Sequence, residues 1–506
     1  MTSPIGWPKK PIGCEMMRLS DSQIPSGLKG PAYDRSAVRI GHVHLGVGAF
    51  HRAHQAIYSE SCLCAGDLRW GILGASLRGP QVADQLNPQQ GLYSCLVREG
   101  RESRAGVIGA IKKVLVAPEN PTALIAAIAD KDVHVVTLTI TEKGYHLDPA
   151  TGALRMDDPA IAADLARPHL PATAPGLLVA ALAARKTAGL APFTALSCDN
   201  LPDNGGRLKQ AVLDFARAQD AGLADWIERF GAFPASMVDR IVPATTPDDL
   251  ALFAAEFGVQ DLGLVKTEPF SQWVIEDHFA GERPHWELAG AQFTHDVAPW
   301  EMAKLRLLNG AHSALAYLGN LAGYPTVDQA MANPAFERFV DHLQDEAEST
   351  LTPPPGLNLA AYRGDLKRRF KNAALMHKTY QIAMDGSQKL PQRLLATIAT
   401  RISRGQDFAC LALAVAGWMR WQAGVDEQGQ PYEVQDPFAA QTRVLYQKGQ
   451  NGFEKAASLC SLEAVFGPDL SRDPRFVTTI GEALDTLLKE GARASVAARV
   501  QKEAAL

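Results

Sequence analysis

Residues 38–45, Val-Arg-Ile-Gly-His-Val-His-Leu, alternate apolar and polar side chains and run directly into Gly46-Val47-Gly48. That two-residue period is the signature of a strand. The pattern from Ala53 to Cys64 is helical, and a second strand is expected at 70–75. A strand that turns through Gly-x-Gly into a helix and returns as a second strand is the opening of a βαβ unit. Such a unit commits the chain to a parallel sheet covered by helices. The glycines let backbone approach a pyrophosphate placed at a helix N-terminus. The third glycine of the usual fingerprint is His51 here, so the turn alone is equally compatible with a plain tight turn.

The rest of the N-terminal half extends the same reading. Strands are expected at 133–140 and 193–198, with Ala/Leu-rich helices at 122–129 and 177–186. Alternating strands and helices imply a doubly wound parallel sheet, whose strand ends carry ligands. Two segments lie just past such ends: Thr141-Glu142-Lys143-Gly144-Tyr145 and Cys198-Asp199-Asn200. After about residue 295 helical periodicity takes over, at 299–323, 334–351, 357–376, 391–403 and 407–423, then in shorter runs at 437–448, 453–464 and 474–490.

The expected architecture is therefore α/β. An N-terminal extension (1–36) precedes a Rossmann-like doubly wound domain (37–295), which is followed by a mostly α-helical substrate and catalytic domain (296–506). An active site in the cleft between the two domains is the expectation. The extension is rich in Pro and Gly, is expected to wrap over the first domain, and lacks the apolar region of a signal peptide.

Composition narrows the classes. A chain of 506 residues with 46% hydrophobic and 21% charged content is ordinary for a soluble globular protein. A net charge of -5 supplies no basic field for nucleic acid or an anionic membrane. The longest apolar run, 408–419, is too short to span a bilayer, which takes about 20 residues, and reads as a buried helix. Seven cysteines form no disulfide framework. The lone Cys62-x-Cys64 has no partner at zinc spacing, so both are read as buried thiols, no metal is expected, and a reducing cytoplasm fits best.

Lys304, Asn309 and His312, with Asn200 far upstream, carry the chemistry. An amine, two carboxamides and an imidazole can bind a carbonyl oxygen, stabilise it as an alkoxide and move its proton without a metal. On a regular helix Asn309 and His312 share a face, while Lys304 lies about 140° from Asn309. Three-fold convergence therefore needs a helix start or a local irregularity between them. By spacing alone, Asn309-Gly310 also fits a turn and Lys304 a solvated charge.

Lys304-x4-Asn309-x2-His312 resembles the catalytic signature of the polyol-specific long-chain dehydrogenases, the family of mannitol 2-dehydrogenase and the hexuronate reductases. The similarity runs from about Val38 to Glu490. It includes His44 to Gln55, Thr141 to Tyr145, Ser197 to Asn200, Val238 to Thr245, Glu268-Pro269-Phe270 and Lys304 to Leu318. Within the family, Gln381 to Arg393 looks most like the fructuronate reductase (D-mannonate oxidoreductase) branch, since the mannitol enzymes have an arginine where this chain has Gln381.

The resemblance implies an NAD-dependent oxidoreductase acting on a CH–OH group, with D-fructuronate and D-mannonate as the leading pair. Tagaturonate, or a neutral polyol–ketose pair such as mannitol and fructose, is the alternative. A catalytically silent dinucleotide sensor has no need of Lys304. By resemblance Lys304 is the acid/base, Asn200 and Asn309 donate to the alkoxide, His312 orients the reacting hydroxyl and Glu301 relays protons, though Glu301 also suits an ordinary i,i+3 pair. Glu142 and Asp239 match substrate-pocket positions, and Asp239-Arg240 also suits an ion pair.

The Gly-x-Gly block gives Gly46, Gly48, Ala49, Phe50 and Arg52 as cofactor residues. A uronate carboxylate needs a cation, for which Lys389 and Arg393 are the nearest candidates. The second strand ends Ser76-Leu77-Arg78 with no acid for a ribose hydroxyl. Arg78 with Ser76 thus leaves NADP open beside NAD.

Overall fold

The structure, a computed structural model, describes residues 17–148 and 151–503. The part of the N-terminal extension before Met17 lies outside the described residues. Contacts divide the chain into two compact units, Met1–Val297 and Ala298–Leu506.

The first unit is built on five strands, β1 (Ile40–Leu45), β2 (Gly71–Ser76), β3 (Ile111–Val116), β4 (Val135–Leu138) and β5 (Thr194–Ser197). All pair in parallel, in the spatial order β3-β2-β1-β4-β5. The order reverses between β1 and β4, and the crevice at such a switch point is where doubly wound sheets bind ligands. Both faces are covered, as a parallel sheet requires. Val43, Leu45, Leu73, Ala75, Val136 and Leu138 share a core with the helices Pro121–Ala129, Ala174–Thr187 and Asn204–Gln219. Ile72 and Val114 share another with Ala53, Ala56 and Leu63.

Sequence sets the helix starts. Asn120 and Thr173 accept from the Ala123 and Gly176 N–H, each followed by a proline in the first turn, where its missing N–H costs nothing. From the extension, Met17–Arg18 pairs in parallel with Val259–Gln260. Cys62 is buried but Cys64, the last residue of the helix Gln55–Cys64, is exposed, which corrects the expectation of two buried thiols.

The second unit is helical. Its centre is Ala409–Trp421, in which Cys410 through Met419 are all buried. The expected helix at 474–490 continues as Pro474–Glu503, broken by Gly491 at φ +79. Among the described residues no helix is long and apolar enough to cross a membrane. Among the described residues three segments wind more widely than an α-helix, as π-turns: Lys304–Asn309, Leu315–Gly319 and Pro391–Leu395.

Candidate active site

In the first unit, a cavity of ≈ 500 Å³ opens at the carboxyl ends of the central strands. It is lined by Gly46 and Gly48, by Ser76 and Arg78, and by Thr139 and Thr141, among others. The two glycines do different work. Gly46 sits at φ +94, where an added Cβ would lie 2.2 Å from the Thr139 carbonyl oxygen, so only glycine fits. Gly48 has an ordinary φ of -88, and its Cβ would meet nothing closer than 3.9 Å. What glycine provides there is open space above the backbone, at the start of the helix Ala49–Ala53. A loop of this form fits the phosphates of a dinucleotide.

Arg78 lines the cavity and is exposed. The Ser76 hydroxyl donates its only proton to the Gly79 carbonyl at 2.6 Å, so it has none left for a 2′-phosphate. Ala49, Phe50 and Arg52 are not among the cavity's lining residues. Phe50 stacks on His54, with ring centres 5.1 Å apart. Arg52 is buried and donates to the Gly48 carbonyl at 3.3 Å and the Gly263 carbonyl at 2.5 Å. Its guanidinium turns inward and supports the loop from behind.

Beyond β4 and β5, Asp199 ties two loops together. Its carboxylate accepts from the Ile140 N–H at 3.0 Å, the Thr141 N–H at 2.9 Å and the Tyr145 hydroxyl at 2.7 Å. Burial pushes this carboxyl up from its usual range, and the same three donors pull against it. Sequence reasoning passed over Asp199; its signal was an acid one residue before Asn200 at a strand end. Asn200 and Glu142 are exposed on these loops. Asp239 is buried at the end of Ser236–Asp239. Arg240 donates to the carbonyls of Glu268 and Ala53.

In the second unit the awkward spacing of Lys304, Asn309 and His312 resolves. Lys304–Asn309 is a π-turn, with the Gly310 N–H donating to the Leu305 carbonyl five residues back. In an i→i+5 turn the sixth residue returns over the first, so Asn309 comes back onto the face of Lys304. The α-helical turn that follows, Gly310–Ala314, then brings His312 round beside them. All three are buried. Gly310 lets the π-turn Pro391–Leu395 lie close, since a Cβ there would stand 3.1 Å from the Arg393 carbonyl oxygen. Glu301 sits one turn earlier, in Ala298–Ala303, and is half-buried.

The His312 ring rests 4.7 Å from the Phe370 ring and 5.3 Å, edge-on, from His377. Its Nε2 has no hydrogen-bond partner among the described residues. Burial pushes the His312 pKa well down, and His377, Arg369, Arg393 and Lys304 push it further, so the imidazole is neutral. Arg393 donates to the Ser313 hydroxyl at 3.3 Å. The Lys389 ammonium reaches the Ile382 and Met384 carbonyls, which lie at the end of the helix Thr379–Ala383. Arg369 and His377 had no sequence signal, because only folding brings them to His312.

Among the described residues one group has metal-ligand proximity, Glu346, Cys410 and Glu503, with ligand atoms within 4.8 Å of one another. Glu346 already accepts from the Cys410 and Leu411 N–H at 2.8 and 2.9 Å, and the group shares no residue with the Lys304 turn.

Comparison with known proteins identifies the family. The family models for the mannitol dehydrogenase Rossmann domain and the mannitol dehydrogenase C-terminal domain match residues 40–288 and 296–488. The chain is 44% identical over 490 residues to the D-mannonate oxidoreductase of Escherichia coli K12, covering 96% of this chain and 100% of that protein. It is also 44% identical over 479 residues to YeiQ, an uncharacterised oxidoreductase of the same organism, covering 94% and 98%. The mannitol 2-dehydrogenase of Pseudomonas fluorescens, solved with NAD and D-mannitol, superposes with a TM-score of 0.89 at 37% identity, covering 96% of this chain and all of that one. The chain belongs to the mannitol dehydrogenase family.

Proposed function

We propose that this protein is an NAD-dependent oxidoreductase that interconverts a keto-uronate and a sugar acid, with D-fructuronate and D-mannonate as the pair. The observation that carries the reading is the π-turn that gathers Lys304, Asn309 and His312 onto one buried face. The dinucleotide is assigned to the cavity above Gly46 and Gly48, and NAD is preferred because Ser76 spends its proton on Gly79. Bound NADH supplies the hydride.

The chain's own groups handle the oxygen. Lys304 donates its proton to the carbonyl oxygen as the carbon accepts hydride, and takes it back in the oxidative direction. Asn309 and Asn200 donate side-chain N–H to the developing alkoxide, worth about 3 kcal/mol per well-placed donor. Neutral His312 offers Nε2 to a substrate hydroxyl and fixes its orientation. Glu301 passes protons between Lys304 and solvent, and Glu142 and Asp239 bind sugar hydroxyls.

The acid substrate is favoured by two things: full-length similarity to a D-mannonate oxidoreductase, and the cationic surroundings of His312, where Arg369 and Arg393 suit a carboxylate. Arg393 is preferred to Lys389 because its planar fork suits both oxygens of a carboxylate. A neutral polyol–ketose pair is the second reading, supported by the similarity to a mannitol 2-dehydrogenase.

Steady-state rates with NADH against fructuronate, tagaturonate and fructose decide between them, and a clear preference for fructose overturns the uronate assignment. Lys304→Ala is expected to lose roughly 10²–10⁴-fold in turnover with NADH binding nearly unchanged. Retained activity would refute the role given to Lys304.

A further inference from the structure

β1 and β4 lie side by side, with His44 opposite Thr137. Alternate residues of a strand share a face, so His42 and His44 on β1 meet Thr137, and Thr139 just beyond β4, on one side of the sheet. These strands are otherwise apolar, and His42, His44 and Thr137 are wholly buried. Buried polar groups cost free energy unless each finds a partner, and here each does.

The hydrogen bonds form one unbroken chain. The Trp286 indole N–H donates to the Ser59 hydroxyl at 3.3 Å, and Ser59 stands 3.4 Å from His42 Nδ1. His42 Nε2 is 2.6 Å from the Thr137 hydroxyl, which is 2.6 Å from His44 Nδ1. His44 Nε2 is 2.9 Å from the Thr139 hydroxyl, which donates to the Gly46 carbonyl at 2.7 Å.

The proton positions follow from the two ends. A carbonyl can only accept and an indole N–H can only donate. Thr139 therefore spends its proton on Gly46 and must accept from His44 Nε2–H. Neutral His44 then has an accepting Nδ1, which takes the Thr137 proton. Thr137 in turn accepts from His42 Nε2–H, and His42 Nδ1 takes the Ser59 proton. Every link has one donor, and both imidazoles have a single allowed tautomer. Burial keeps them neutral, with the His42 pKa pushed down to about 3 and that of His44 well below its usual value. The ring of His51 lies flat on His44, with centres 3.4 Å apart and planes 13° apart, which holds the His44 ring in plane.

The chain ends at the cofactor loop. The Gly46 carbonyl also accepts from the Gly48 N–H at 2.7 Å. That carbonyl and the Val47 N–H belong to one trans peptide plane and point in opposite directions. Pinning the carbonyl inward aims the Val47 N–H outward, and Val47 lines the cavity.

We infer that Thr139 and His44, backed by Thr137, His42 and Ser59, are positioning residues that aim the Val47 N–H at a phosphate oxygen of the dinucleotide and so set cofactor affinity. The inference rests on the dinucleotide reading of the cavity.

Thr139→Val keeps the shape and removes the hydroxyl. NADH titration of the whole chain should show the Kd rise about tenfold, the cost of one misaimed hydrogen bond to a charged group. The KM for NADH should rise with it while kcat at saturating NADH stays within about threefold. Thr139→Ser should restore both. Thr137→Val and Thr137→Ser should repeat the pattern from one link further back, with the melting temperature measured alongside.

An NADH Kd in Thr139→Val within about twofold of wild type overturns the inference, as does a Kd rise that Thr139→Ser fails to reverse. A wild-type chain that binds no NADH overturns the dehydrogenase reading and this inference together. Wild-type binding with unaltered variants overturns this inference alone.

Discussion

Gly48→Ala separates folding from cofactor binding at a single atom. The Cβ added at Gly48 would meet no protein atom closer than 3.9 Å, and the backbone there, at φ -88, suits any L-residue. Alanine in place of glycine restricts the unfolded chain, worth about 0.4–1 kcal/mol of stability. Gly48 is also the N-cap of Ala49–Ala53, a position where alanine is poorer than glycine by roughly 0.5 kcal/mol. The two terms oppose and nearly cancel, so the melting temperature should move by less than about 2–4 °C.

Binding should behave differently, because the methyl group enters the space where the dinucleotide's phosphates must approach the backbone. Forcing a group into occupied space costs about 1–3 kcal/mol, a rise in NADH Kd of about five- to 150-fold. Fluorescence titration with NADH and a calorimetric melt of the same sample measure both quantities. An unchanged Kd with unchanged stability would show that phosphates do not lie over Gly48, and the cavity assignment would fall. Gly46→Ala is the contrast. At φ +94, with its Cβ 2.2 Å from the Thr139 carbonyl oxygen, it should fail as a fold before it fails as a site.

Two further outcomes test other parts of the molecule. Asn309→Ala should lower kcat by about 10²–10³-fold with the NADH Kd unaltered, and a loss under threefold would remove Asn309 from the alkoxide site. His42 takes no proton in the folded chain until about pH 3, because burial disfavours its charge, whereas the unfolded chain takes one near pH 6.5. Its contribution to stability is therefore complete above pH 6.5 and shrinks as pH falls toward 3. From pH 7.5 to 4.5 wild type should lose more stability than His42→Gln in urea unfolding, by a few kcal/mol (about 2–4), and parallel pH curves would refute the neutral imidazole.

The strands of the first unit were legible, β1 by its alternation and the others by the nearly continuous apolar runs of a sheet covered on both faces. Their spatial order was not, since β3-β2-β1-β4-β5 depends on pairings between segments far apart in sequence. The expected strand at 133–140 stops at Leu138 because the Ile140 and Thr141 N–H turn aside to Asp199, a side chain that no local propensity reports. The partners of Arg52 and Lys389 were illegible for the same reason. Each is a cation near the predicted site, and each finds backbone carbonyls first: Gly48 and Gly263 for Arg52, Ile382 and Met384 for Lys389. Unpaired carbonyls at loops and helix ends demand partners, and a charge count along the sequence cannot see that demand.

The failure of the regular helix at Lys304 is the more instructive case. A uniform advance of about 100° per residue puts Lys304 and Asn309 on different faces, and the residues that decide otherwise lie almost ninety positions downstream. Pro391–Leu395 lies against Gly310, where a side chain would crowd the Arg393 carbonyl, and there the helix widens by one residue. Gly46 follows the same logic in the other unit. A residue in a conformation closed to most side chains is held there by donors on Thr139, His44 and Gly48, and its distortion aims the next N–H. Each candidate site thus sits where a regular element is broken, and neighbours distant in sequence hold each break in place. A wide turn has poorer hydrogen-bond geometry than an α-helix, and a left-handed backbone is readily open only to glycine. Keeping either one requires surroundings that over-determine it, and here those surroundings converge on the groups proposed to meet cofactor and carbonyl.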